Sequence, residues 1–153
     1  MKINSSAFEH NSPIPAKYTC QGEDVNPPLQ FTDVPKESKS LALIVDDPDA
    51  MPAGMQAPSK TWVHWVVYNI PPSVTTVGEN SEPKGGTQAD TDFGKDSYGG
   101  PCPPSGVHRY FFKLYALDTT LDLPEFADKA MLEEAMKGHV LEQAELMGLY
   151  QKS

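Results

Sequence analysis

Fifteen prolines and eleven glycines are spread along this chain of 153 residues, and they cut positions 1–120 into short segments with turn punctuation between them. A long helix through such a region would lose hydrogen bonds at each proline and backbone entropy at each glycine. Short strands fit the spacing instead, and the chain reads as mainly β. The strand candidates are Leu29 to Thr32, Ser40 to Asp46, Thr61 to Ile70 and His108 to Leu117, the last three rich in Val, Ile, Trp, Tyr, Phe or Leu. Leu41 to Val45 is apolar on both faces, as a central strand would be.

Strict alternation in the third candidate puts Trp62, His64, Val66, Tyr68 and Ile70 on one face and Val63, Trp65 and Val67 on the other. In the fourth, His108, Tyr110, Phe112, Leu114 and Ala116 share a face, with Arg109 and Lys113 opposite. From Asp128 the period changes. Asp128 is a fitting N-cap for a helix through Lys137, with Met131, Leu132, Ala135 and Met136 as its apolar stripe and Gly138 as its stop. The apolar residues Val140, Leu141, Ala144, Leu146 and Met147 predict a second helix beginning near His139. The segment Pro71 to Pro104 is long, polar and glycine-rich, the kind of loop that often carries function. No internal repeat or linker divides the chain, so residues 1–153 read as one domain.

A net charge of −9 and a pI near 4.7 argue against nucleic acid and against an anionic membrane surface as partners. An anionic small ligand would need local donors to enter that field. The N-terminus lacks the apolar core of a signal peptide, and no run approaches the roughly 20 apolar residues of a membrane span, which predicts a soluble, cytoplasmic protein. Cys20 and Cys102 are the only cysteines and lack metal-ligand spacing. Reduced thiols are the first expectation, with a single bridge between two Gly/Pro-rich loops left open.

Burying an imidazole or a carboxylate costs free energy unless it finds partners. His64 and His108 each interrupt an apolar strand, and Asp47-Pro48-Asp49 ends a third. One such histidine reads as a satisfied core residue, whereas two, near glycine- and proline-rich loops, suggest one shared polar pocket. Asp47 and Asp49 can be read as a proline-stiffened turn. They can also be read as acids at a pocket rim, orienting an imidazole or meeting an ammonium group. Gly99 to Gly106 presents either backbone N–H groups to an anion or a rigid wall.

Other chemistries are weaker. Asp92-Phe93-Gly94 copies a kinase triplet without the companion kinase motifs. A Ser105, His108, Asp47 triad lacks a strained nucleophile turn. A metal site built from His64, His108, Asp47 and Asp49 lacks a closely spaced His pair, so neither a metal nor another cofactor is expected.

Taken together, the chain resembles the phosphatidylethanolamine-binding protein family, also called the Raf kinase inhibitor family, in its bacterial and archaeal branch. The blocks that carry the resemblance are Asn26 to Leu29, Ser40 to Leu43, Asp47 to Ala50, His64 to Pro71, Asp92 to Gly94, Tyr98 to Pro104, His108 to Asp118 and Glu145 to Tyr150, in family order. The resemblance implies a large central antiparallel sheet packed with a smaller sheet, short C-terminal helices, and an anion pocket at one end of the sheet. By position, Asp47, His64, His108, Tyr110, Gly100, Pro101, Pro103 and Pro104 would form that pocket, with Asp49, Trp65 and Tyr98 in support.

It further implies a non-enzymatic protein that binds phosphate or a phosphorylated head group, with a regulatory or inhibitory role. A protein kinase or protease partner, met through the pocket or through loops Met51 to Lys60 and Pro71 to Gly86, and a homodimer belong to the same implication. A metal-dependent hydrolase using the same histidines is the enzymatic alternative. Two departures from the family pattern stand out: Met51 replaces a second proline, with a lengthened loop Pro52 to Ser59, and the path from Pro103-Pro104 to His108 is short.

Overall fold

The computed structural model describes residues 1–50 and 61–152. In chain order its elements are β1 Lys2–Asn4, β2 Ser12–Pro13, β3 Leu29–Thr32, β4 Ser40–Asp47, β5 Trp62–Ile70, β6 Thr76–Val77, β7 Thr87–Gln88, β8 Val107–Leu117, α1 Lys129–Met136 and β9 Val140–Gln151. They form a six-stranded sheet in the order β2-β9-β8-β4-β5-β7 and a three-stranded sheet in the order β1-β3-β6. All pairings are antiparallel except the short β2 against β9. The fold is mainly β, as the proline and glycine spacing predicts. Among the described residues no helix is long and apolar enough to cross a membrane.

Every residue of β4 is buried, because both faces of the large sheet are covered there. On one face Leu41, Leu43 and Val45 join Phe112 and Leu114 against Ile3, Leu29, Phe31 and Val77 of the smaller sheet. On the other, Ala42 and Ile44 join Val66 and Tyr68 beneath Leu132 and Met136 of α1. Helix α1 starts where its cap predicts: the Asp128 side chain accepts the Met131 N–H at 3.0 Å, and Gly138, at φ 80°, turns the chain away.

Three expectations are corrected. The second helix is absent, because residues 140–151 pair along β8 as strand β9, burying Leu146, Gly148 and Tyr150 at period two. Cys20 and Cys102 form a disulfide, with Cα atoms 5.4 Å apart and the Cys20 N–H donating to Pro101 O at 3.1 Å. Strict alternation in β5 also fails. Val45 pairs with Trp65 but Asp46 pairs with Val63, so His64 is an extra, bulged residue. A second irregularity lies between Val67 and Ile70, where Asn69 takes φ 53° and its amide clamps both backbone groups of Leu121. The bulges put Trp65, Val67 and Ile70 in one core and Val66 and Tyr68 in the other.

Candidate functional site

Because β4 runs antiparallel to both β5 and β8, its last residues meet the first residues of those strands at one end of the sheet. Asp47, His64, His108 and Tyr110 converge there, each between 1% and 4% exposed, on the wall of a cavity of about 200 Å³. Trp62, Phe93, Pro103, Pro104, Ala50 and Cys102 complete its lining.

The two imidazoles are held differently. His108 Nδ1 donates to Asp47 Oδ2 at 2.7 Å, while Asp47 Oδ1 accepts the Asp49 N–H at 2.7 Å. Both Asp47 oxygens are thus engaged, and of the two readings of this acid the geometry favours orienting the imidazole. His64 Nδ1 donates instead to the Gly99 carbonyl at 2.7 Å, and the Gly99 N–H returns a bond to His64 O at 3.0 Å. Burial pushes the His64 pKa below its ordinary value, with the Gly99 carbonyl and Asp47 only partly offsetting it. In both rings Nδ1 is spent, which leaves Nε2 for a ligand.

Tyr110 stacks beside His108 at 6.4 Å between ring centroids and meets His64 edge-on at 5.2 Å. Its hydroxyl is buried and has no hydrogen-bond partner. Burial first, then the Asp47 charge, raises its pKa and keeps it a neutral donor. Asp49 braces the turn: its carboxylate takes Arg109 through N–H at 3.0 Å and through Nε and Nη2 at 2.9 Å each. The hydrogen bonds from Arg109 hold the Asp49 carboxyl below the usual range.

Five of the sequence-predicted residues, Asp49, Gly100, Pro101, Trp65 and Tyr98, lie outside the cavity lining. Gly100 and Pro101 are turned towards the loop after β2: the Gly100 N–H donates to Asp24 Oδ1 at 2.7 Å, and Pro101 O accepts Cys20. The Gly100 amide is therefore not free for an anion, and a Cβ there would strike the Tyr18 carbonyl. Trp65 and Tyr98 build the layer behind the wall, meeting edge-on at 5.5 Å, with Trp65 Nε1 bonded to Gln88 and the Tyr98 hydroxyl to Tyr18 O.

Sequence reasoning missed Trp62 and Phe93 as lining residues. Trp62 had a signal, two residues from His64. Phe93 had only the copied kinase triplet; its ring meets His64 at 5.2 Å and Trp62 at 5.6 Å, and it fits because Gly99 has no Cβ to block it. Ser105 is exposed and lies outside the lining. Among the described residues no group of His, Cys, Asp and Glu is arranged to hold a metal ion. Met51 and the loop Pro52 to Ser59 lie outside the described residues.

Comparison with known proteins accords with this architecture. The UPF0098 protein of Methanothermobacter thermautotrophicus is 53% identical over 157 aligned positions, covering 99% of both chains. A solved Chlamydia trachomatis homologue of phosphatidylethanolamine-binding protein superposes with a TM-score of 0.92 at 45% identity, covering 99% of this chain and 97% of that one. Escherichia coli YbcL, a member of the same family, superposes at 0.87 with 29% identity, covering 99% and 98%. The profile of the phosphatidylethanolamine-binding protein family matches residues 4–151, and the chain belongs to that family.

Proposed function

We propose that the cavity binds a small phosphate-type anion, free or as a phosphorylated head group, and that the protein acts through this binding as a regulatory or inhibitory protein without catalysing turnover. One observation carries the reading. A buried tyrosine hydroxyl without a partner costs about 1–3 kcal/mol, and a ligand oxygen at Tyr110 removes that cost. His64 and His108 line the same space, each with Nδ1 already bonded and Nε2 left for a ligand, and apolar side chains make up much of the rest of the wall.

Titration calorimetry with inorganic phosphate and with phosphoethanolamine tests it. Tyr110→Phe should bind phosphate roughly 10- to 100-fold more weakly, the worth of one hydrogen bond to a charged acceptor. Absence of binding, or equal binding by the variant, would sink the proposal. Inhibition of a kinase or protease through loops 51–60 and 71–86 alone makes the opposite prediction, that a captured partner is retained by Tyr110→Phe.

A further inference from the structure

Resting on that anion-binding reading, we propose that His108 is a phosphoryl acceptor, whose Nε2 takes the phosphoryl group of a phosphoramidate or acyl phosphate seated in the cavity and holds it as phosphohistidine. Among the lining side chains few groups can act as a nucleophile. Cys102 is committed to its bridge with Cys20. Tyr110 is kept as a neutral phenol by burial. Asp47 has both oxygens engaged. The imidazole nitrogens remain.

The two rings are not equivalent. His64 leans on a neutral carbonyl, Gly99 O, so a positive charge formed on its ring would be poorly compensated. His108 leans on the Asp47 carboxylate at 2.7 Å, with both side chains 4% exposed. A carboxylate behind an imidazole orients the far nitrogen and stabilises the imidazolium that forms when that nitrogen reacts.

The step balances without an oxidant or reductant. The Nε2 lone pair forms the new N–P bond as the P–N bond of the zwitterionic phosphoramidate, whose nitrogen already carries three protons, breaks and its electron pair leaves with that nitrogen as ammonia; from an acyl phosphate the P–O bond breaks instead and its electron pair leaves with the carboxylate. The proton on Nδ1 stays between the ring and Asp47, whose charge offsets the cationic ring. Tyr110, with its unpartnered hydroxyl, donates to a phosphoryl oxygen.

The molecule contains its own control. His139 Nδ1 lies 2.7 Å from Asp118 Oδ1, the same carboxylate–imidazole pair, but both side chains are 45% exposed and neither lines the cavity. If the carboxylate–imidazole pair alone decides reactivity, His139 labels as readily as His108; if the cavity positions the donor, His108 labels first.

The experiment incubates the full chain with potassium phosphoramidate. It maps acid-labile phosphoryl groups by mass spectrometry, while calorimetry on the same protein measures phosphate binding. The expected result is one group per chain on His108, formed at least about tenfold faster than on His139, slowed by Asp47→Asn, absent in His108→Gln and unchanged in His139→Gln. Equal labelling of His108 and His139, or no label on a chain that still binds phosphate, overturns the proposal and leaves the anion reading standing. A chain that neither labels nor binds phosphate overturns both. Site mapping on the unsubstituted chain decides the matter even if His108→Gln fails to fold.

Discussion

At His64 the cost of burying a charge sets the chemistry of the pocket. Its folded-state pKa is pushed below the ordinary 6.5 by burial, so the unfolded chain binds a proton that the folded chain resists. The neutral folded state has its full advantage above pH 6.5 and loses it as pH falls from 6.5 towards the folded value, by up to about 1.4 kcal/mol per pH unit for this one proton. Thermal melts between pH 7.5 and 5.5 should show that loss in the native chain and a shallower one in His64→Gln; parallel curves would contradict it. On the proposed anion-binding role, the same neutrality governs binding. With its Nδ1 proton on Gly99, His64 offers a lone pair at Nε2, so a phosphate anion must bring a proton or induce its uptake. Titrations near pH 7 in two buffers of different ionisation enthalpy should therefore report net proton uptake, and equal heats in both would exclude it.

At the element scale, β5 and β9 show where pattern and packing part company. A period-two reading of β5 places His64 with Val66 and Tyr68. One bulge at His64 turns it instead towards Tyr110, so the pocket depends on an irregularity that hydrophobic alternation conceals. In β9 the residues Val140, Leu141, Ala144, Leu146 and Met147 mimic a helical stripe, yet Val140 and Leu141 remain 41% and 39% exposed. The working period is Leu146, Gly148, Tyr150, and eleven register partners on β8 outweigh helix propensity. Gly148 belongs to this strand for a steric reason: a Cβ there would collide with Ile14 and crowd Phe8. Gly148→Ala should cost about 1–3 kcal/mol, read as a lower urea midpoint, whereas a helical residue 148 would gain stability from alanine.

For the whole molecule the bridge between Cys20 and Cys102 joins positions 82 residues apart and ties a wall of the pocket to the loop after β2. Replacing both cysteines by serine should lower stability by about 2–4 kcal/mol in denaturant unfolding. Phosphate affinity should fall with it, since Cys102 and its neighbours Pro103 and Pro104 line the cavity; unchanged affinity would show that the hydrogen bonds from Cys20 to Pro101 and from Gly100 to Asp24 hold the wall unaided. Legible in the chain were the β class, the central β4, the capped helix α1, the shared face of His108 and Tyr110, and the presence of buried histidines and carboxylates that needed partners. Those are consequences of local propensity and of the cost of burying polar groups. Tertiary structure alone decided which partner each imidazole found, that Gly100 and Pro101 face away from the cavity while Trp62 and Phe93 enter it, that residues 140–151 extend, and that two distant cysteines meet. Each of those depends on register and bulges between strands far apart in the chain, where a shift of one residue exchanges the faces of a strand.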